Sequence, residues 1–375
     1  MIRVAFVDQS GDQIGGAEHS LALLLGALPA DVEAEAIVFG DGAFAQRLRD
    51  LGIRPRVIAL SESLATTKRE RMGTRGIFEA PASVLALRRE IAALHPDLVY
   101  TNTVKAHLLA APAARLARVQ CVAHLRDILE GSARTLIRSV LATCTRQRIA
   151  ISGAVRDAFA LGKTDVIPNP LDLSSYATLP TRADARRALN LPADGKLVSI
   201  IGRINRWKGH DRFVRIAGAL RDCNDVHFAI VGAPIFRDAD FLDDLHAQVQ
   251  ELGLQERVSF VPWLEDPRLA YAASDVLCNT SDNEPFGRTL IEAAACSVPA
   301  VCFNSGGTAE AVIDGETGFL VSAGDEAQFT AALRRLLKEP DLLERMSTAA
   351  REASQRFDAR IHAERVANVL RRTAV

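Results

Sequence analysis

The sequence predicts an α/β protein built on two parallel, doubly wound sheets. Short apolar runs alternate with helix-like stretches along the whole chain, which is the pattern of β-α repetition. The alternation restarts near Lys196, after a proline-rich interruption. Each half opens with an apolar strand that runs into a glycine-containing turn and then a helix. The length, 375 residues, agrees, since one domain usually takes about 100–200 residues.

Composition narrows the class. Hydrophobic residues make up 48% and charged residues 24%, enough for two cores in a soluble globular chain. A formal net charge of -1 gives no general attraction to nucleic acid. Locally the balance shifts: residues 115–163 carry nine Lys or Arg against three Asp or Glu. Such a stretch suits an anionic membrane face or an anionic substrate, and equally a solvated helix surface. The six cysteines show no C-x-x-C spacing, and several lie in apolar runs, as reduced core residues do. Met1-Ile2-Arg3 leads straight into a strand without a signal-peptide pattern. No apolar run nears the roughly 20 residues that span a bilayer. The expectation is a cytoplasmic protein, peripheral at the inner membrane face if the basic region touches lipid.

Residues 2–7 read as a buried parallel strand. They feed Asp8-Gln9-Ser10-Gly11-Asp12-Gln13-Ile14-Gly15-Gly16-Ala17-Glu18 and then a helix over 19–28. A Gly-Gly turn ahead of a helix lets a ligand approach the backbone closely. It lacks the G-x-G-x-x-G spacing of dinucleotide binding, which argues against NAD. Further strands are expected at 34–39, 56–60, 97–101, 120–124, 148–152 and 166–167. The polar stretch 61–78, with Lys68, Arg69, Arg71 and Arg75, reads as a long mobile loop rising from the ligand-binding edge of the sheet. His124 falls at the carboxyl end of a strand, well placed for substrate, although a satisfied structural histidine is the other reading. Ile167-Pro168-Asn169-Pro170 stops regular structure and suggests a stiff hinge. Residues 173–195 read as a linker with a short helix.

In the second half, strand 196–201 ends in Gly202-Arg203-Ile204-Asn205-Arg206-Trp207-Lys208-Gly209, followed by a helix over 211–220. An arginine fork and a lysine point charge near a helix N-terminus suit a diphosphate. Strands follow at 226–231, 258–261, 275–279, 300–303 and 318–321. After the fourth of these strands in the half, counting 196–201 as the first, comes Glu284-Pro285-Phe286-Gly287 and a helix over 288–296, which carries Glu292. A helix N-terminus behind a glycine loop is a natural phosphate site. Ionised carboxylates only accept hydrogen bonds, so Glu284 and Glu292 suit sugar hydroxyls. Asn304-Ser305-Gly306-Gly307-Thr308-Ala309-Glu310 is another glycine turn into a helix, and helices at 326–338, 341–355 and 359–372 close the chain.

Taken together, these loops resemble the family-4 retaining glycosyltransferases of the GT-B fold. The likeness runs through Gly15-Gly16-Ala17-Glu18, His124, Ile167-Pro168-Asn169, Gly202-Arg203 with Lys208-Gly209, Glu284-Pro285-Phe286-Gly287 with Glu292, and Gly306-Gly307 with Glu310, then Asp314-Gly315-Glu316-Thr317-Gly318-Phe319-Leu320. The resemblance implies two Rossmann-like domains facing across a cleft. Residues 1–170, joined by the returning C-terminal helix 357–375, would form the acceptor side, and 171–356 the nucleotide-sugar side. It implies that Arg203 and Lys208 hold the diphosphate, Glu292 the ribose hydroxyls and Glu284 hydroxyls of the transferred sugar. Backbone N–H groups from Phe286 through Gly287, Arg288 and Thr289 to Leu290 would cradle sugar and phosphates. Gly16 would let the backbone approach the β-phosphate, and His124 would contact the transferred sugar. Trp263 stands near where the family holds the base, with Pro262 where the family often has glycine. Pro170-Leu171 is a second departure, bearing on the hinge.

The implied reaction moves a sugar from a UDP- or GDP-sugar to a glycan, lipid-linked or small-molecule acceptor, with retention. Arg203 and Lys208 would do the work a metal does elsewhere, so no cofactor or metal is expected. Alternatives are a nucleotide-sugar epimerase or phosphorylase on the same fold, or a non-catalytic sugar-binding protein. The donor nucleotide, the acceptor and the linkage are not readable from these residues.

Overall fold

The computed structural model describes residues 1–9, 14–61, 64, 74–234 and 239–374, with backbone alone for 74–78. The chain divides into two units, Met1–Leu171 with Phe357–Val375, and Asp172–Arg356.

The first unit is a parallel sheet of β1 (Ile2–Gln9), β2 (Val32–Phe39), β3 (Arg56–Val57), β4 (Leu98–Thr101), β5 (Gln120–Leu125), β6 (Gln147–Ala150) and β7 (Thr164–Val166). Their order is β3-β2-β1-β4-β5-β6-β7. β1 shows why the strands read as solid apolar runs. Val4 and Phe6 enter one core with Leu21, Leu24 and Val366. Ala5 and Val7 enter another with Leu87, Ile91 and Leu109. Successive side chains point to opposite faces, so the middle of a strand covered on both sides takes apolar residues at successive positions. The helix Ala359–Ala374 belongs to this unit, burying Ala363, Val366, Ala367 and Leu370 in the first core. It is led in by a short parallel pairing in which Leu171 N donates to Phe357 O at 2.7 Å and Ala359 N to Leu171 O at 2.8 Å.

The second unit repeats the plan with β8 (Lys196–Ile201), β9 (Val226–Val231), β10 (Val258–Val261), β11 (Val276–Asn279), β12 (Ala300–Asn304) and β13 (Gly318–Ser322). The order is β10-β9-β8-β11-β12-β13, again parallel. In each sheet the winding direction reverses once, between β1 and β4 and between β8 and β11. Loops leaving the carboxyl ends of those strand pairs diverge and open a crevice for ligands.

Two expectations need correcting. The stretch 61–78 is not all loop, because a helix spans Thr74–Leu94. Its later turns bury Leu87, Ile91 and Leu94, and a helix anchored by a packed face propagates backward through poorer helix formers. Residues 62–63 and 65–73 lie outside the described residues. β3 ends at Val57 rather than Leu60, as an edge strand with exposed residues. Among the described residues no helix is long and apolar enough to cross a membrane.

At the amino end of the second sheet, Asp275 is 4% exposed. Its Oδ2 accepts from Arg186 Nη2 at 2.7 Å and Leu197 N at 2.8 Å, and Arg182 meets its Oδ1 at 3.0 Å. Asp275→Ala leaves the buried Arg186 without this counter-charge and should destabilise the second unit by about 3–5 kcal/mol. Both tryptophans, Trp207 and Trp263, lie in that unit. Denaturant titration followed by their fluorescence reads the loss directly.

Candidate functional site

In the second unit, the loops after β8 and β11 are joined by backbone. Asn205 Oδ1 accepts from Lys208 N at 3.2 Å and starts a single 3-10 turn, Arg206–Lys208. Gly209 then takes a φ of +71°, and a Cβ there would sit 2.3 Å from the Thr280 carbonyl oxygen. The close approach lets Thr280 Oγ1 donate to Gly209 O at 2.8 Å, while Asp282 N donates to Trp207 O at 2.8 Å. Arg212 fixes the same strand exit, donating to both oxygens of Asp282 at 2.8 Å. The result places Lys208 Nζ 2.5 Å from Glu284 Oε2, with both side chains largely buried. Gly306 backs the arrangement: a Cβ there would lie 2.1 Å from Glu284 O, which accepts from Gly307 N at 2.7 Å.

Gly287, at φ +94°, opens the helix Arg288–Ala295 with no side-chain cap. Phe286 and Leu290 are buried, so their backbone is what they can offer a ligand. Leu290 N already donates to Gly287 O at 3.0 Å, which removes one of the N–H groups expected to cradle phosphate. Glu292 Oε1 accepts from Arg288 Nη2 at 2.9 Å and its Oε2 from the Tyr271 hydroxyl at 2.7 Å. Arg203 is exposed near the start of the first loop. Trp263 follows β10 at the same carboxyl edge and is 58% exposed.

The first unit carries a buried polar network at its own reversal point. Asp8, ending in the β1 exit, accepts from Gln9 N at 2.7 Å, Asn102 Nδ2 at 2.7 Å and Thr103 Oγ1 at 2.8 Å. Burial, and then the Glu18 charge, push its carboxyl up to about 7 against those hydrogen bonds. Arg126 donates to Asn102 Oδ1 and Asn169 Oδ1, each at 2.7 Å, and to His124 Nδ1 at 3.2 Å. His124 is fully buried inside β5. A guanidinium has no lone pair to offer, so Nδ1 must accept and the ring proton belongs on Nε2. The Tyr100 hydroxyl reaches the same Nδ1. Burial, then Arg126, hold the imidazole neutral with its pKa well below the usual value. Gly16 is the first residue of the helix Gly16–Gly26, and its carbonyl accepts from Ser20 Oγ at 2.8 Å.

Residues 181–353 match the family described as Glycosyl transferases group 1, and residues 14–175 match Glycosyltransferase Family 4. The chain belongs to these glycosyltransferases. A D-inositol 3-phosphate glycosyltransferase of Nocardia farcinica is 37% identical over 210 residues, 55% of this chain and 45% of that protein. Its counterpart in Thermomonospora curvata is 35% identical over 217 residues, 55% and 49% of the two. The chain thus spans about half the length of the curated relatives it matches. The crystal structure of Anabaena HepE in complex with UDP and glucose superposes with a TM-score of 0.84 at 28% identity, covering 99% of both chains. A sucrose-phosphate synthase from Thermosynechococcus elongatus shares the fold, with a TM-score of 0.80 at 22% identity over 99% of each chain. The two-sheet architecture is GT-B.

In the second unit, the structure brings Lys208 to Glu284, and Arg288 to Glu292. Sequence reasoning missed the supports: Asn205, Thr280, Arg212 and Tyr271 in one unit, and Asp8, Asn102, Arg126 and Asn169 in the other. A usable signal existed, since Asp8, Asn102, Arg126 and Thr280 each stand at or just past the carboxyl end of an apolar strand. One Asp-x-Asp spacing is present, Asp238-Ala239-Asp240. Asp240 lies in the first turn of the helix Ala239–Glu251, and Asp238 lies outside the described residues. No group of three or more His, Cys, Asp or Glu is placed to hold a metal among the described residues.

Asp8 gives a pH prediction. Its ordinary value is 3.8 and its folded value about 7. Between about pH 4 and 7 the folded unit keeps a proton that the unfolded chain has released, so this group lowers stability as pH rises through that window. Asp8→Asn removes the titration. The unfolding midpoint of the variant relative to wild type should climb from pH 4 to 7.5 in scanning calorimetry. A constant difference would show that Asp8 is ionised throughout.

Proposed function

We propose that this glycosyltransferase moves a sugar from a nucleoside-diphosphate sugar, of the UDP or GDP class, to an acceptor hydroxyl with retention of configuration. The observation that carries the reading is the Lys208–Glu284 pair at 2.5 Å beside the Gly287-capped helix. A cation for phosphate and an acceptor for sugar hydroxyls stand together where the sheet reverses. Breaking the sugar–phosphate bond leaves negative charge on the diphosphate. In this reading Lys208, Arg203 and the helix N-terminus stabilise that charge. Lys208 gives one of its three donors to Glu284, leaving two for phosphate oxygens. Glu284 then accepts from the transferred sugar and Glu292 from the ribose, with the exposed face of Trp263 as a platform for the base.

In this reading the C1–phosphate oxygen bond breaks and a bond from C1 to the acceptor oxygen forms on the same face. The acceptor proton passes to the departing phosphate oxygen, so neither a protein nucleophile nor a metal is assigned a step. HepE, solved with UDP and with UDP-glucose, supports a uridine donor. The acceptor is a hydroxyl on a glycan, a lipid-linked saccharide or a small molecule.

Thermal unfolding against a panel of UDP- and GDP-sugars tests the donor. A ligand at about 100 times its Kd should add roughly 2.7 kcal/mol of stability. Failure of every nucleoside-diphosphate sugar to raise the midpoint would sink the reading. Lys208→Ala should lower kcat per folded molecule by about 10²–10³-fold, the usual loss for one preorganised group facing developing charge. Full turnover in that variant would remove Lys208 from the chemistry.

A further inference from the structure

Glu292 is gripped from two sides. Tyr271 lies on the short helix Arg268–Ala273, has no exposed surface, and donates its hydroxyl to Glu292 Oε2 at 2.7 Å. Arg288, one turn before Glu292 on its own helix, donates to Oε1 at 2.9 Å. An ionised carboxylate only accepts, so the direction of both bonds is fixed, and each oxygen keeps a second lone pair. Burial, then the Glu292 charge, push the Tyr271 phenol well above its ordinary value, so it stays a donor. A phenylalanine would fill the same apolar niche, and the hydroxyl has Glu292 as its recipient.

A glutamate held by nothing turns about its last torsion and meets a pair of neighbouring hydroxyls only part of the time. Held by Tyr271 and Arg288, the carboxylate keeps one plane before the ligand arrives. We propose that Tyr271 is a positioning residue: with Arg288 it sets the Glu292 carboxylate to receive both ribose hydroxyls, and so makes the site select ribonucleotides over 2′-deoxyribonucleotides. The inference rests on the reading of Glu292 as the ribose acceptor. A site built around a substrate hydroxyl rejects the analogue lacking it, because its polar groups are then left unmatched.

Calorimetric titration with UDP and 2′-deoxy-UDP, or with the guanosine pair if only GDP binds, tests it. Wild type should bind the ribonucleotide about 10–100-fold more tightly. Tyr271→Phe should weaken the ribonucleotide about tenfold, change the deoxy form less than about threefold, and so narrow the ratio. In a Glu292→Gln background, Tyr271→Phe should no longer move the ratio, which is the coupling expected of groups acting through one another. Arg288→Met, which removes the other support, should narrow the ratio as well and covers the case in which Tyr271→Phe folds poorly. Equal weakening of both nucleotides by Tyr271→Phe would mark a purely structural role and overturn the proposal. An unchanged ratio would overturn it too. If wild type binds neither nucleoside diphosphate, the donor reading itself fails and this proposal falls with it. Binding without the predicted coupling removes Tyr271 alone.

Discussion

The contact on which the second unit's site depends is between two backbones. Gly209 and Thr280 come so close that any side chain at 209 would strike a carbonyl oxygen 2.3 Å away. That proximity joins the exits of β8 and β11, the strands flanking the reversal of the sheet. Once the exits are joined, the Thr280 hydroxyl and the Asp282 amide fall on partners in the 206–209 loop. Lys208 and Glu284, 76 positions apart in sequence, then meet. The charge pair is therefore a consequence of loop geometry. Gly306 extends the same logic to the exit of β12, where it makes room for the Glu284 carbonyl.

The two units solve the same topological problem with different chemistry. At the second unit's reversal, opposite charges lie side by side, both largely buried. At the first unit's reversal, Asp8, Asn102, Arg126 and Asn169 form a chain of hydrogen bonds under the surface. Arg126 has a fork of donors and ties the exits of β4 and β7 to β5. Because its guanidinium only donates, it also fixes the orientation of both amides and the tautomer of His124. The network is a rigid floor, and it explains how a histidine on a buried strand keeps one protonation state.

The sequence made much of this legible. Three strands of the second unit, at 196–201, 226–231 and 258–261, start and stop close to where apolar runs do, because a parallel sheet buried on both faces takes mostly apolar residues. The motif residues were equally plain, since Lys208, Glu284 and Gly287 sit in short loops whose glycines announce unusual backbone, and Glu292 follows one turn into the helix that Gly287 opens. What stayed hidden depends on distance in sequence. Nothing local marks Tyr271 as the partner of Glu292, or Asn169 as the partner of Arg126, because those meetings are products of packing. The helix Thr74–Leu94 was obscured for a related reason: Gly76 and Pro81 interrupt its early turns, and only the later face with Leu87 and Ile91 shows what holds it.

The chain passes from the first unit to the second at Leu171 and returns at Phe357. The second unit is thus an insertion between a sheet and the helix that covers it. During synthesis on the ribosome, the second unit is complete while Val4, Phe6 and Leu21 still lack Val366 and Leu370. That apolar face stays uncovered until the helix Ala359–Ala374 has emerged, so the first unit finishes folding only after the second has been made and is open to aggregation in a nascent or truncated chain.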